Sequence, residues 1–392
     1  MPDPLFCRGA RAKVGTFAAQ SGLAGGSMPW RIRRLSMKKQ TLIPVSVCFE
    51  IPDGQAQLLD FQWLKHQFIA RSVRMRHLCW TLLTLWLLYM PMVGQTNPSA
   101  ALDDALVQEN HGSFDNAARI AKAAIDSRQL SGNELGRAYT ILAVACQGAG
   151  NLTDAQIAFE HALQVLEHDR EHVAEYASAL ENYAGFYTEL GQLDVATPMS
   201  RKAFRLRQSI GDHTGTTQSL TRLAEVALAQ NRVHEAHQYL QKASAAAMAS
   251  PDLIDDGRVF FFEIQGWLAI AEHHIPAAVA AYQHALELVE RSRGEQHWLA
   301  GWERMLLGKA YAESGDFRSA LANMKTGLTI LDHALGQKNP KYFAAELAYS
   351  RVLDQSGLHA EAAQMRSASE KASKDYHGSQ CVGSTINVAA FR

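Results

Sequence analysis

Small and large apolar residues alternate with polar residues through 98–375 at the spacings of an α-helix. In one segment Ala155, Phe159 and Ala162 stand at i, i+4 and i+7, so they share one helix face. The same spacing recurs as Ala236, Leu240, Ala243 and as Ala278, Tyr282, Ala285, and it loosens to Ala320, Met324, Gly327. A second amphipathic helix precedes each segment, for example Tyr139, Leu142, Ala143, Cys146. The pattern predicts an all-α chain built from pairs of helices.

The first small residue of this motif returns at nearly constant intervals. It is Ala117, Ala155, Ala196, Ala236, Ala278, Ala320 and Ala362, so the intervals are 38, 41, 40, 42, 42 and 42 residues. Five residues before each alanine stands a turn residue: Gly112, Gly150, Gly191, Asn231, His273, Gly315 and Gly357. Glycine suits that place because helices commonly end in a left-handed residue. The period predicts about seven helix–turn–helix units that must stack to bury their apolar faces.

These units resemble the tetratricopeptide repeat (TPR). The residues that carry the resemblance are Leu142, Ala143, Cys146, Gly150, Leu152, Ala155, Phe159 and Ala162 in one copy, and Leu307, Gly308, Tyr311, Gly315, Phe317 and Ala320 in another. The stretch from Leu335 through Pro340 to Ala362 is similar to the 42-residue form found in kinesin light chains. The resemblance implies a right-handed α-solenoid over 98–375. Asp104 in the first copy, and Arg366 and Ser369 in the last, depart from the apolar pattern, as is typical of capping repeats.

The resemblance also implies a concave groove, lined by the first helix of each unit, that holds a protein or peptide partner. Positions off the core face of three adjacent first helices give the candidate groove residues Phe260, Glu263, Trp267, Trp302, Met305, Lys309 and Arg351. Aromatic anchors beside cations are typical of binding hot spots. The alternative is that some of these rings pack between repeats, with Trp298 covering a linker.

Residues 1–74 show no sustained period and are expected to form a disordered basic leader. Residues 1–76 hold 12 Lys and Arg against four Asp and Glu. Two explanations stay open: a basic arm for nucleic acid or anionic lipid, or sequence upstream of the true start, since Met28, Met37 and Met75 are in-frame alternatives. The remaining residues carry a net charge of −9, so the near-neutral total of −1 is a cancellation. The acidic part is not expected to bind nucleic acid.

Residues 75–94 have the layout of a secretory signal peptide. Basic residues precede an uncharged apolar run, Leu78–Met90, which is followed by Pro91 and Gly94. The cleavage site is imperfect, so retention as a membrane anchor through residues 78–93 stays open. In both cases the preceding basic residues predict that the array lies outside the cytoplasm, periplasmic or secreted. Residues 376–392, which include Cys381, lack the repeat pattern and are expected to be an unstructured tail.

No pattern in the sequence predicts an enzyme, a cofactor or a metal site. His168 and His172 are four residues apart, but Asp169 stands where the helical zinc motif requires glutamate. Gly301, Gly308 and Lys309 do not have the spacing of a phosphate-binding loop. Cys146 lies on a core face, and five cysteines do not make a disulfide framework. A metal-dependent hydrolase is the distant alternative.

The sequence therefore predicts an exported TPR scaffold that binds a protein or peptide partner in its groove. The competing interpretation is a membrane-anchored sensory or regulatory arm of a larger complex. The oligomeric state cannot be read from the sequence.

Overall fold

A computed structural model describes residues 97–248 and 255–379, all within one compact unit that spans Met92–Arg392. These ranges contain fourteen helices and no strand. The helices are α1 Pro98–Asn110, α2 Phe114–Asp126, α3 Gly132–Ala149, α4 Leu152–Leu166, α5 Val173–Glu189, α6 Leu193–Ser209, α7 His213–Ala229, α8 Val233–Met248, α9 Asp255–Ala271, α10 Ile275–Arg293, α11 Trp298–Glu313, α12 Phe317–Leu335, α13 Pro340–Gln355 and α14 His359–Ser379. Each odd-numbered helix packs on the even-numbered helix that follows it, which confirms an all-α solenoid of seven pairs.

The predicted repeat punctuation is confirmed at every copy. All seven motif alanines are 0% exposed, because each packs where the two helices of a pair meet. All seven turn residues have positive φ, from +59° at Asn231 to +89° at Gly357. Five of them are glycines, which adopt this conformation without steric cost. Asn231 and His273 adopt the same conformation with a side chain present.

The large residue between the two small ones fills the interior of each pair. Phe159 is fully buried, and its ring lies 4.9 Å from the Tyr183 ring and 5.7 Å from the Phe186 ring on the next repeat. Tyr282 and Met324 occupy the equivalent positions of later repeats and are 1% and 0% exposed. The core is therefore a series of clusters distributed along the array, as expected for stacked repeats.

Glycines let α11 and α12 approach each other closely. A Cβ atom added to Gly301 would lie 2.9 Å from the backbone oxygen of Gly327, and one added to Gly308 would lie 3.0 Å from that of Ala320. Gly301 and Gly308 therefore serve helix packing, which agrees with the exclusion of a phosphate-binding loop.

The first end of the array agrees with the sequence prediction, whereas the last end differs from it. Asp104 is exposed, as expected of a cap. Ser369 is fully buried instead and donates a hydrogen bond to Glu346 over 2.8 Å, so it replaces an apolar contact with a polar one. The last helix continues to Ser379, beyond the boundary predicted at residue 375. It continues because Tyr376 packs on Phe343 at 5.5 Å and donates a hydrogen bond to the Gly150 carbonyl.

The leader at 1–74, the apolar run at 78–93 and Cys381 lie outside the described residues. Among the described helices, none combines the length and apolar character needed to cross a membrane.

Candidate functional site

The last repeats return to the first ones, so the array closes on itself. The ring of Trp298, at the start of α11, lies 5.7 Å from the Phe114 ring. The adjacent His297 Nε2 is 2.8 Å from the Asn110 carbonyl oxygen. Asn339, which precedes α13, donates its side-chain amide to the Gly148 carbonyl over 2.8 Å. These contacts join residues that are more than 180 positions apart in the chain.

The closure forms the walls of two adjoining, partly open cavities of about 210 and 370 Å³. Their walls come mainly from the first helices α3, α5, α7, α9 and α11 and from the start of α13. The lining shared by both cavities is Gln147, Glu189, Arg222, Phe260, Glu263, Trp298, Leu299 and Lys341. The concave side that the repeats predict therefore contains cavities that are partly open to solvent.

Arg222 of α7 brings a cation to the cavity wall. Its guanidinium carbon lies 4.4 Å from the centroid of the Phe260 ring, and Nη1 donates to Glu225 one helical turn away. Gly185 on α5 provides the space, since a Cβ atom there would lie 3.0 Å from the guanidinium carbon. The Nε atom is buried without a hydrogen-bond partner. Arg222 is thus held by one carboxylate and one ring, and its Nε–H group is a hydrogen-bond donor that is not used.

Lys341 brings the second cation, at the start of α13. Its Nζ atom donates to Glu189 on α5 over 3.0 Å, which ties repeat seven to repeat three. The same atom lies 5.5 Å from the Trp302 ring and 5.9 Å from the Trp298 ring, within cation–π range.

Glu263 of α9 is a carboxylate of this interior that has no ion pair among the described residues. Its one recorded hydrogen bond among the described residues comes from the Trp302 indole N–H over 3.4 Å. Burial, and then the charge of Glu225, raise the pKa of Glu263 to about 7. Glu303, next to Trp302 on α11, is 0% exposed, and neither of its oxygens has a hydrogen-bond partner. Burial and the nearby Glu263 raise the pKa of Glu303 far above its usual range.

Four of the seven candidate groove residues meet at this interior: Phe260, Glu263, Trp267 and Trp302. Their spacing explains why, because Phe260 and Trp302 each stand 13 positions before the turn residue of their repeat. The role of these four residues in binding stays a prediction.

Three of the candidate groove residues are not part of these two cavity linings, and their role in binding also stays a prediction. Met305 is fully buried, and its side chain lies against Gly327 on α12. Lys309 is half-buried and is not part of either cavity lining. Burial lowers the pKa of Lys309 to about 8. Arg351 is exposed and also lies outside the two linings.

Sequence reasoning missed the contribution of repeats two to four. Glu225 stands six positions before Asn231, as Trp267 does before His273, so the same register would have found it. Trp298 and Lys341 carry no such signal, because they line the cavity only through the closure. Trp298 forms part of the cavity wall, and its ring also packs on Phe114 at the turn of the first repeat.

Asp169 and Cys146, which the sequence analysis considered for metal binding and disulfide formation, take part in local structure. Asp169 accepts hydrogen bonds from the backbone N–H groups of Glu171 and His172 in the turn between α4 and α5, at 3.0 and 3.1 Å. The described ranges contain no cluster of three or more His, Cys, Asp or Glu suited to a metal ion. Cys146 is buried, and burial raises the pKa of its thiol to about 11, which disfavours the reactive thiolate.

Comparison with known proteins agrees with this architecture. Residues 175–249 match the family model for the tetratricopeptide repeat. The fold is similar to a Rap protein complexed with competence and sporulation factor, with 13% identity, 71% of this chain and 77% of that chain covered, and a TM-score of 0.54. It is also similar to the Rap conjugation gene regulator of the plasmid pLS20 in complex with the Phr* peptide, with 12% identity, coverages of 71% and 74%, and a TM-score of 0.56.

A third solved structure, a putative kinesin light chain from Podosopora anserina with nearly identical TPR-like repeats, is 18% identical over 52% of this chain and 98% of that chain, at a TM-score of 0.40. No curated protein matches this sequence. The matching family model and the seven repeated helix pairs thus identify tetratricopeptide repeats within this chain.

Proposed function

We propose that this chain is a scaffold that binds a peptide segment of a partner inside the cavity closed by its repeats. The observation that carries the proposal is the convergence of three tryptophans, Trp267, Trp298 and Trp302, on one cavity that also holds charged groups. Two proteins of similar fold hold competence and sporulation factor and the Phr* peptide, respectively, and these complexes support the proposal at the level of the fold.

The chemistry of the lining suits a peptide. The two cavities together fall within the usual volume range of ligand sites, and rings provide apolar contact at low entropic cost. The side chains of Gln147, Arg222 and Lys341 can satisfy backbone carbonyl groups that would be costly to bury alone. A peptide bound there would be positioned by polar groups and held by the aromatic rings.

The proposal is tested by selecting random peptides on the immobilised full chain and measuring their affinities. We expect Trp267→Ala and Trp302→Ala to weaken binding at least tenfold while the variants still melt cooperatively. Phe262→Ala is the matched control, since this half-buried ring lies on the same helix, faces His284 on α10 and does not line either cavity. Equal affinities in all variants, or no selected peptide, would contradict the proposal.

We further propose that the scaffold works outside the cytoplasm, supported by the basic residues that precede the apolar run Leu78–Met90. A reporter fused after residue 392 would then be active when it requires export, and activity restricted to the cytoplasm would contradict this. N-terminal sequencing of the mature protein distinguishes a cleaved signal peptide from the alternative, a membrane-anchored sensory arm tethered through residues 78–93.

A further inference from the structure

The interior contains more acidic groups than its cations neutralise. Lys341 pairs with Glu189, and Arg222 pairs with Glu225. Glu263 lines both cavities and has no ion pair among the described residues, and Glu303 is fully buried beside it with both oxygens unpartnered. A buried carboxylate without a partner is costly, so protein interiors normally supply a cation or several hydrogen bonds.

The surroundings of Glu263 fit a cation from outside the chain. Trp302 donates its indole N–H to the carboxylate, and the aromatic residues Phe260 and Trp267 of α9 line the same cavity. Aromatic faces attract ammonium and guanidinium groups, most strongly where water is excluded. Arg222 already uses the Phe260 ring in this way within the cavity.

We propose that Glu263, with Trp267 and Trp302 beside it, binds a positively charged group of the peptide ligand. The group is an ammonium or guanidinium, which a lysine or arginine side chain or the amino terminus of the peptide would provide. This inference rests on the proposed function and specifies its ligand. The entering charge neutralises Glu263, a cavity carboxylate that has no ion pair among the described residues.

Binding is then linked to the protonation of Glu263. The groups that face it are Glu225 and Arg222 from α7, Tyr282 from α10, Trp302 and Glu303 from α11, and Lys341 from α13. Because the pKa of Glu263 lies near 7 in the unliganded protein, a cation that requires the ionised carboxylate must displace a proton below that pH. Affinity for a cationic peptide is expected to fall about tenfold from pH 8 to pH 6.

The test is a double-mutant cycle with peptides selected from a random octapeptide library on the full chain. Each selected peptide is measured with its lysine or arginine replaced by norleucine, and separately with its amino terminus acetylated. One of these changes is expected to cost at least tenfold in affinity on the native chain and less than twofold on Glu263→Gln. If replacement by norleucine has this effect, a lysine or arginine side chain provides the cation. If acetylation has it, the amino terminus does. Glu287→Gln, which changes an exposed carboxylate on α10, is the charge-matched control. On this variant the same peptide change should lower the affinity as much as it does on the native chain.

Two results would overturn the inference, and they distinguish failure of the cation site from failure of peptide binding as a whole. Peptides that bind in the cavity but lose the same affinity on the native chain and on Glu263→Gln would remove the cation site and leave peptide binding intact. Failure to select any peptide would remove both proposals. Isothermal titration in two buffers of different ionisation enthalpy provides a second readout, because the native chain should release protons on binding at pH 6.5 and Glu263→Gln should not.

Discussion

At the scale of single residues, the repeat motif accounts for the buried positions without reference to the whole fold. Ala155, Phe159 and Ala162 share a face in the sequence and are all 0% exposed in the structure. Their burial could be predicted because the same helix face packs in the same way in every repeat. Serine at 369 could not be predicted as buried, because its role depends on Glu346 in the preceding helix.

Phe159→Ala is expected to destabilise the protein by about 3–5 kcal/mol, because it removes a fully buried ring that contacts Tyr183 and Phe186. Chemical denaturation of the full chain measures the change. Ile157→Ala provides the control on the same helix, as Ile157 is 48% exposed and should cost much less. A loss below about 1 kcal/mol for Phe159→Ala would show that the assigned core face is wrong.

Gly315→Ala isolates the cost of the left-handed turn residue. Gly315 has φ of +81°, and an added Cβ would meet no atom within 4 Å, so only backbone strain should appear. We expect a destabilisation of about 1 kcal/mol. His273→Gly makes the converse change at φ +60° and should be neutral or stabilising in the same thermal melts. Stabilisation by Gly315→Ala would contradict this assignment.

The raised pKa of Glu263 predicts the sign of a pH effect on stability. In the unfolded chain this carboxyl ionises near its usual pKa, whereas in the folded protein it retains its proton up to about pH 7. Folding stability should therefore fall as the pH rises from about 4.5 to 7, by roughly 2 kcal/mol from this group. Glu263→Gln removes that penalty, so its stability advantage over the native chain should be larger at pH 8 than at pH 5. An advantage that does not change with pH would contradict the assignment.

At the scale of helices, pairs differ in how closely they approach. The glycines of α11 and α12 place backbone against backbone, with only 2.9 Å between a Cβ at Gly301 and the Gly327 oxygen. Gly301→Ala is therefore expected to destabilise by about 1–3 kcal/mol through overpacking. Thermal melts of Gly301→Ala and Gly315→Ala separate the free-energy cost of a steric clash from that of backbone strain. A neutral Gly301→Ala would show that the two helices can move apart freely.

At the scale of the whole molecule, closure is the feature that the sequence did not predict. It depends on small rotations added over seven repeats, and no single repeat carries them. For that reason the sequence located Phe260, Glu263, Trp267 and Trp302 but missed Trp298 and Lys341, which reach the cavity through the closure. It also placed Met305 in the groove, because the register of one helix does not show which neighbour a side chain meets.

Tyr376 tests the closure, because its hydroxyl bonds the Gly150 carbonyl and its ring packs on Phe343. Tyr376→Phe should cost about 1 kcal/mol for the hydrogen bond, and Tyr376→Ala about 3 kcal/mol for the ring as well. Small-angle scattering should show a larger radius of gyration for Tyr376→Ala alone. Equal stability and size for both variants would mean that this contact does not hold the closed form.

The central claim is that a peptide binds in the cavities formed by the closure, and one pair of affinities tests it most directly. Phe260 lines both cavities beneath Arg222, whereas Phe262 stands two residues later on the same helix and lines neither. For a peptide selected on the native chain, Phe260→Ala should raise Kd at least tenfold, and Phe262→Ala should leave it within twofold. Equal Kd values for the two variants would contradict the account.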